Sequence, residues 1–188
     1  MLKTLLRWVL HRQIGAFERR YGYDASYWHG VSDVSPAAGL RLLALPALSQ
    51  YRGPALEVWA GASLASVLEG DCGPCAQLIV DMALEAGVSE DLIRAVILGH
   101  FDGAGAVGLG FRFAEAAIRG GDDLETLRDD IRLIHGEEAV IAASFAAATS
   151  RSYPVLKRGL GYGEACRRLK VGTRSAISVA RSHTADAA

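Results

Sequence analysis

Leu68-Glu69-Gly70-Asp71-Cys72-Gly73-Pro74-Cys75-Ala76-Gln77-Leu78-Ile79-Val80-Asp81-Met82-Ala83-Leu84-Glu85-Ala86-Gly87 sets two cysteines, separated by Gly-Pro, at the opening of an apolar helix. Pro74 suits the first helical turn, where its missing N–H costs nothing, and Gly73 permits a tight entry. Cys72 is therefore expected at or near the N-cap and Cys75 one turn inside, with the two sulfurs able to meet. Unpaired N–H groups and the positive end of the helix dipole stabilise a thiolate there, which makes the pair competent for disulfide exchange. Glu69 and Asp71 oppose this, because nearby negative charge disfavours a thiolate unless one of them accepts its proton. They read either as bases or as solvated loop acids.

Around this stretch helical spacing with Ala, Leu, Glu and Arg dominates, and the period-2 alternation of strands is missing, so an all-α helical bundle is expected. A first, amphipathic helix runs from Leu2 to Arg20 and ends at Gly22. The aromatic piece Tyr21 to His29 is read as cover for the core. Ser35-Pro36 starts the next helix, which Pro46 kinks or ends. Gly53-Pro54 leads through Ala55 to a helix ending near Leu68, and Gly87 terminates the cysteine helix as a C-terminal cap. Ser89 opens a helix over Glu90 to Leu98. The glycine-rich stretch Gly99 to Gly110 reads as a flexible connection, a lid or the frayed start of the helix through Phe113 and Ile118. Two further helices reach Ile134 and Thr149, and Tyr153-Pro154 begins a last one carrying Lys157, Arg158 and Cys166. The expected organisation is a single helical domain, 1–170, composed of an N-terminal segment 1–52 and a core 53–170, with 171–188 as a basic, mobile tail. No internal repeat is evident.

Charge divides the chain in the same places. Residues 53–150 hold sixteen acidic and five basic side chains, residues 1–52 three and seven, and residues 151–188 two and eight. Basic ends that pack on the acidic middle, in the same subunit or in a neighbour, account for this pattern, and an anion-binding arm is the alternative. Neither the overall composition nor a net charge of -1 indicates nucleic-acid binding. No run approaches the roughly 20 apolar residues of a membrane span. With Arg7 interrupting the first apolar run and no cleavage site behind it, a cytoplasmic protein is expected.

Three readings compete with redox chemistry for the cysteine pair. Zinc wants four ligands, and beyond the pair only Cys166 and scattered histidines remain, without a second CxxC or an HxxxH spacing. A thioredoxin fold uses the same CGPC tetrapeptide, but after a strand, whereas Ala55 to Leu68 is helix-like. The third is a pair of buried structural cysteines. No metal and no cofactor are expected.

Cys72-Gly73-Pro74-Cys75, continued by Met82-Ala83-Leu84-Glu85-Ala86-Gly87-Val88-Ser89-Glu90 and Ile93-Arg94-Ala95, resembles the carboxymuconolactone decarboxylase superfamily, AhpD-like (alkylhydroperoxidase D-like) branch, over roughly residues 55 to 165. The resemblance implies an all-helical homo-oligomer that acts as a CxxC-dependent oxidoreductase. Such an antioxidant peroxidase, peroxiredoxin-like in chemistry, reduces peroxide or a small or partner disulfide, with electrons from a lipoyl or thioredoxin-like donor. In that branch the motif is E…CxxCxxxH. By resemblance Cys75 is the attacking thiol and Cys72 the resolving one. The histidine of the motif falls on Ile79, so the expected branch member lacks it. The relay glutamate falls near Ala60, with Glu57 and Glu69 as the nearest carboxylates.

Helical geometry places Cys75, Ile79, Met82 and Ala86 on one apolar face and Gln77, Asp81 and Glu85 on the opposite side, so Asp81 is a poor base for Cys75. The candidate proton relay is Glu69, Asp71, Glu57, or a residue folded in from elsewhere such as His100 or His135. The expected function is a thiol-disulfide oxidoreductase. The alternative is a non-catalytic helical interaction or structural protein that keeps the CxxC and has lost the proton relay.

Overall fold

The structure, a computed structural model, describes residues 2–163 and 168–179. It is an all-α helical bundle: α1 (Leu2–Tyr21), α2 (Ser26–Val34), α3 (Pro36–Ala44), α4 (Pro46–Ser49), α5 (Leu56–Glu69), α6 (Gly73–Glu85), α7 (Glu90–Ile97), α8 (Gly105–Arg119), α9 (Leu124–His135), α10 (Glu137–Ser150) and α11 (Ser152–Gly159). A short antiparallel hairpin, β1 (Arg168–Leu169) with β2 (Ile177–Ser178), pairs Arg168 with Ser178 and Leu169 with Ile177.

Local chemistry places the boundaries. The Ser35 hydroxyl accepts the Ala38 N–H at 3.3 Å with Pro36 next in line, and Pro46 divides α3 from α4. Behind α6, Gly87 takes φ +91°, a left-handed conformation that a side chain disfavours.

The central element is α5. Every residue from Val58 to Val67 is buried, as expected of a helix apolar on all sides. Close backbone approach makes this possible. A Cβ on Gly61 would lie 1.9 Å from the Val107 carbonyl oxygen, and one on Gly110 would lie 2.1 Å from that of Val58, so α5 and α8 touch through their glycines. Residues 105–110 are thus the start of α8, the helix-start reading of the glycine-rich stretch, with Gly110 packed on α5. A 3-10 turn, Asp102–Ala104, leads into α8, and Gly108, whose Cβ would meet the Phe101 carbonyl at 2.0 Å, lets the turn fold against the helix. On another side of α5, the Ser66 hydroxyl donates to the Ala147 carbonyl of α10 at 2.7 Å, closing the contact with that Ala-rich helix.

The N-terminal helices form a second apolar cluster around Leu10, Ile14, Tyr23, Tyr27, Trp28 and Leu42. On its outer side a hydrogen-bonded row runs Asp33, His11, His29, Glu18 and ties α1 to α2.

Of the stretch expected to be a mobile tail, residues 171–179 are described, and they pack on the core. Val171 and neighbouring Leu169 are buried, the Gln77 side-chain amide exchanges hydrogen bonds with the Lys170 backbone at 2.8 and 2.9 Å, and Arg174 pairs with Glu90 and Asp91. The sequence lacks an alternating pattern here because so short a hairpin draws its stability from α6 and α7. Basic ends do meet the acidic middle within one chain, through Arg174, through Arg20 on Glu85, and through Arg151 on Glu69 at 3.1 Å. Cys166 and residues 180–188 lie outside the described residues. No described helix is long and apolar enough to cross a membrane.

Candidate functional site

Cys72 is the N-cap of α6, with extended backbone (φ −119°, ψ 101°), and its carbonyl accepts the Ala76 N–H at 2.9 Å. Pro74 occupies the first turn, and Cys75 follows one turn inside, as its spacing requires. Both thiols are buried, with 2 % and 3 % exposure, and no disulfide joins them. Tight turning before the helix is visible at Asp71, whose φ of +47° is left-handed.

Of the two cysteines, Cys75 is the one on the wall of the large cavity. Cys75 lines a cavity of about 860 Å³ between α6 and the N-terminal helices, along with Tyr23, Tyr27, Trp28, Ile79, Met82 and Tyr153. The Tyr23 hydroxyl lies 4.0 Å from Cys75 Sγ. From α11 comes Lys157, 4 % exposed, whose Nζ sits 5.2 Å from the centre of the Tyr23 ring and 5.3 Å from that of Tyr27. A buried ammonium needs compensation, and two ring faces supply part of it. Lys157 and Tyr27 also border a small second cavity of about 190 Å³ with Asp24 and Tyr162.

The electrostatics of Cys75 follow from these neighbours. Its thiol is pushed well above the usual cysteine range, first by the hydrogen bond to Cys72, then by burial and by negative charge on Cys72, while Lys157 and the Tyr23 hydroxyl pull it down. Two adjacent sulfurs do not ionise together, so the pair keeps at least one proton over the ordinary pH range. Burial likewise raises the phenols: Tyr23 and Tyr27 strongly, and Tyr153 to about 12 despite the hydrogen bond it shares with Ser49. All three remain proton donors at neutral pH.

The expected relay carboxylates and histidines are elsewhere. Glu57 is in the first turn of α5, twelve residues or about 18 Å of helix away from Glu69 at its end. Glu69 is engaged by Arg151, and Asp71 is exposed in the loop. His100 is exposed beyond the end of α7, and His135 ends α9. The groups that act on Cys75 are Cys72, Tyr23 and Lys157 instead. Ile79 and Ala60, the positions of the missing relay, are buried with 6 % and 2 % exposure, and Ile79 forms apolar wall. Glu85 does not lie opposite Cys75: it stands on the same cavity, paired with Arg20 and accepting the Tyr21 hydroxyl at 2.7 Å. Ten residues of helix rotate it only to the flank of the Cys75 face, so the sequence wheel placed it too far round.

Tyr23 and Lys157 carried no sequence signal. Tyr23 sits in a turn-rich aromatic piece that reads as core cover, and Lys157 on a polar helix that reads as surface. Among the described residues, no three of His, Cys, Asp and Glu gather where they could hold a metal ion. Comparison with known proteins finds no matching family model, no matching curated protein and no matching solved structure.

Proposed function

We propose that the chain is a thiol-disulfide oxidoreductase of AhpD-like type, in which Cys75 meets the substrate and Cys72 resolves it. The observation that carries this reading is a cysteine pair at a helix N-terminus with one sulfur on the wall of an internal cavity, beside a phenol and a buried ammonium. With a peroxide, the Cys75 thiolate bonds to the terminal oxygen and the O–O bond breaks. The leaving alkoxide takes a proton and departs as the alcohol, leaving Cys75 as the sulfenic acid. The Cys72 thiol then attacks that sulfur, water leaves, and a Cys72–Cys75 disulfide forms. A dithiol donor, of lipoyl or thioredoxin-like type, returns two electrons and two protons by exchange. A partner disulfide enters the same cycle through a mixed disulfide on Cys75.

Tyr23 and Lys157 take the place of the missing histidine relay in this scheme. The ammonium favours the Cys75 thiolate, and the phenol donates toward the sulfur or the leaving oxygen. A cytoplasmic homo-oligomer is part of the proposal. The assembly is supported by the apolar side chains that α9 and α10 leave exposed, among them Leu133, Ile134 and Ile141.

Turnover of an alkyl hydroperoxide with excess dithiothreitol tests the reading. Turnover is expected in the wild type and lost in Cys75→Ser, with a Cys72–Cys75 disulfide detected by mass spectrometry after one equivalent of peroxide. Equal turnover in both proteins removes it. Burial of both sulfurs and the raised Cys75 thiol favour a second reading, a non-catalytic helical protein. That reading expects both cysteines to resist maleimide until the protein unfolds, and fast labelling of the native chain counts against it.

A further inference from the structure

The cavity beside Cys75 is graded from end to end. Cys75, Ile79, Met82 and Glu85 all line it, so it follows α6 for ten residues, about 15 Å at 1.5 Å per residue. At the N-terminal end of α6 its wall is the buried thiol and the phenols of Tyr23 and Tyr27. At the other end stand Glu85 and Arg20, whose side chains are 43 % and 63 % exposed. The thiol is therefore at the floor and the charges at the mouth, with apolar wall between them.

The charges at the mouth do not balance. Glu85 is the one carboxylate on the cavity wall among the described residues, and Arg20 and Tyr21 already occupy it. Arg52 is a second cation on the same wall. It donates to Gln50 Oε1 at 3.2 Å and lies 4.5 Å over the buried Trp59 ring, and it meets no carboxylate within 4.0 Å among the described residues. Its positive field reaches Glu85 and Tyr21. The Trp59 ring face holds the guanidinium in place, and with only Gln50 as side-chain hydrogen-bond partner among the described residues Arg52 keeps donors for an incoming carboxylate.

A small peroxide has no use for 15 Å of apolar wall, and a neutral hydrocarbon has none for Arg52. We infer that the cavity receives a single-chain amphiphilic carboxylate of fatty-acid type, its head on Arg52 at the mouth and its chain along α6. The hydroperoxide of such an acid is then the substrate, with its O–O group at Cys75. The reaction half of this inference rests on the proposed thiol chemistry, whereas the binding half stands on the cavity alone. The product is the corresponding hydroxy acid, formed with water and the Cys72–Cys75 disulfide by the steps above.

Calorimetric titration of the full chain, cysteines kept reduced, with decanoate and with methyl decanoate below micelle concentrations tests the binding half. Decanoate is expected to bind, with the ester about tenfold weaker for want of the charge. Arg52→Gln should abolish that preference and Arg52→Lys should keep most of it, which separates a carboxylate subsite from a packing effect over Trp59. Equal binding of acid and ester, or binding of neither, overturns the inference. Cys75→Ser should bind decanoate as the wild type does while reducing no fatty-acid hydroperoxide. If it binds and still reduces the hydroperoxide, the thiol chemistry fails and the carboxylate site remains.

Discussion

The bundle around α5 and the layer of α1 to α3 meet α6 from opposite sides, and they are built differently. Around α5, backbone touches backbone through Gly61 and Gly110, and space for even one methyl group is missing. Between α6 and the N-terminal layer, the Phe17 ring meets those of Tyr23 and Trp28 edge-on at 5.8 and 6.0 Å, and a cavity remains beside Cys75. Interlocked glycines make a rigid floor that holds the cysteine helix, whereas aromatic side chains at longer range make a wall with room for a ligand. Rigidity and access are thus assigned to different faces of α6.

The sharpest way to test that rigidity is to add a methyl group inside the α5–α8 contact and another in the open turn before α8. Gly61→Ala is expected to destabilise the protein by about 3 kcal/mol or more, because the clash is with backbone that has nowhere to move. Gly103→Ala, with nothing within 4 Å, should stay within about 0.5 kcal/mol of the wild type in the same urea titration. Similar losses at both positions would deny that the α5–α8 contact is the rigid one.

Alkaline pH should act on the cavity side. In the folded chain Cys75, Tyr23, Tyr27 and Tyr153 all hold their protons above the values they have when unfolded. Their contribution is complete below the unfolded values and is lost as pH rises, since the unfolded state then releases protons that the native state keeps. Loss begins near pH 8.5 for the cysteine and near pH 10 for the tyrosines, at up to about 1.4 kcal/mol per pH unit for each group. Urea midpoints at pH 7, 9 and 10.5 measure it, and Tyr23→Phe should flatten the decline. A midpoint indifferent to alkali would show that these groups are less enclosed than described.

Lys157→Met separates electrostatics from packing at the same wall. Removing the ammonium lifts the Cys75 thiol further, so maleimide labelling at pH 8 should slow by about tenfold, one unit of thiol acidity. Stability should change by about 1 kcal/mol or less, because an apolar chain of similar volume replaces a buried charge. Unchanged labelling would remove Lys157 from the site. The smallest effect is expected at the surface: Arg151→Ala breaks a half-exposed pair with Glu69 and should cost about 0.5 kcal/mol or less in a thermal melt, chiefly at low salt.

The helices were legible because their signals are local. Ser35-Pro36, Pro46, Gly73-Pro74 and Gly87 each act on the backbone within a turn of themselves, and they sit where the helices begin and end. The glycines of 99–110 were legible only in part: the stretch does open α8, as the helix-start reading had it, but Gly108 and Gly110 are small because backbone packs on them, which the local sequence does not mention. The hairpin over 168–179 was missed because Gln77, Glu90 and Asp91 hold it, not its own alternation.

For the candidate site the division is cleaner. The sequence by itself determined that Cys72 caps a helix with Cys75 one turn inside, since proline, glycine and the N-terminal N–H groups settle that within four residues. Which cysteine lines the large cavity, and what stands beside it, was decided by tertiary structure alone. Tyr23 lies 52 positions before Cys75, and Lys157 arrives on the last described helix. Such neighbours are chosen by the burial of apolar faces across the whole chain, a long-range balance of packing that no local pattern records.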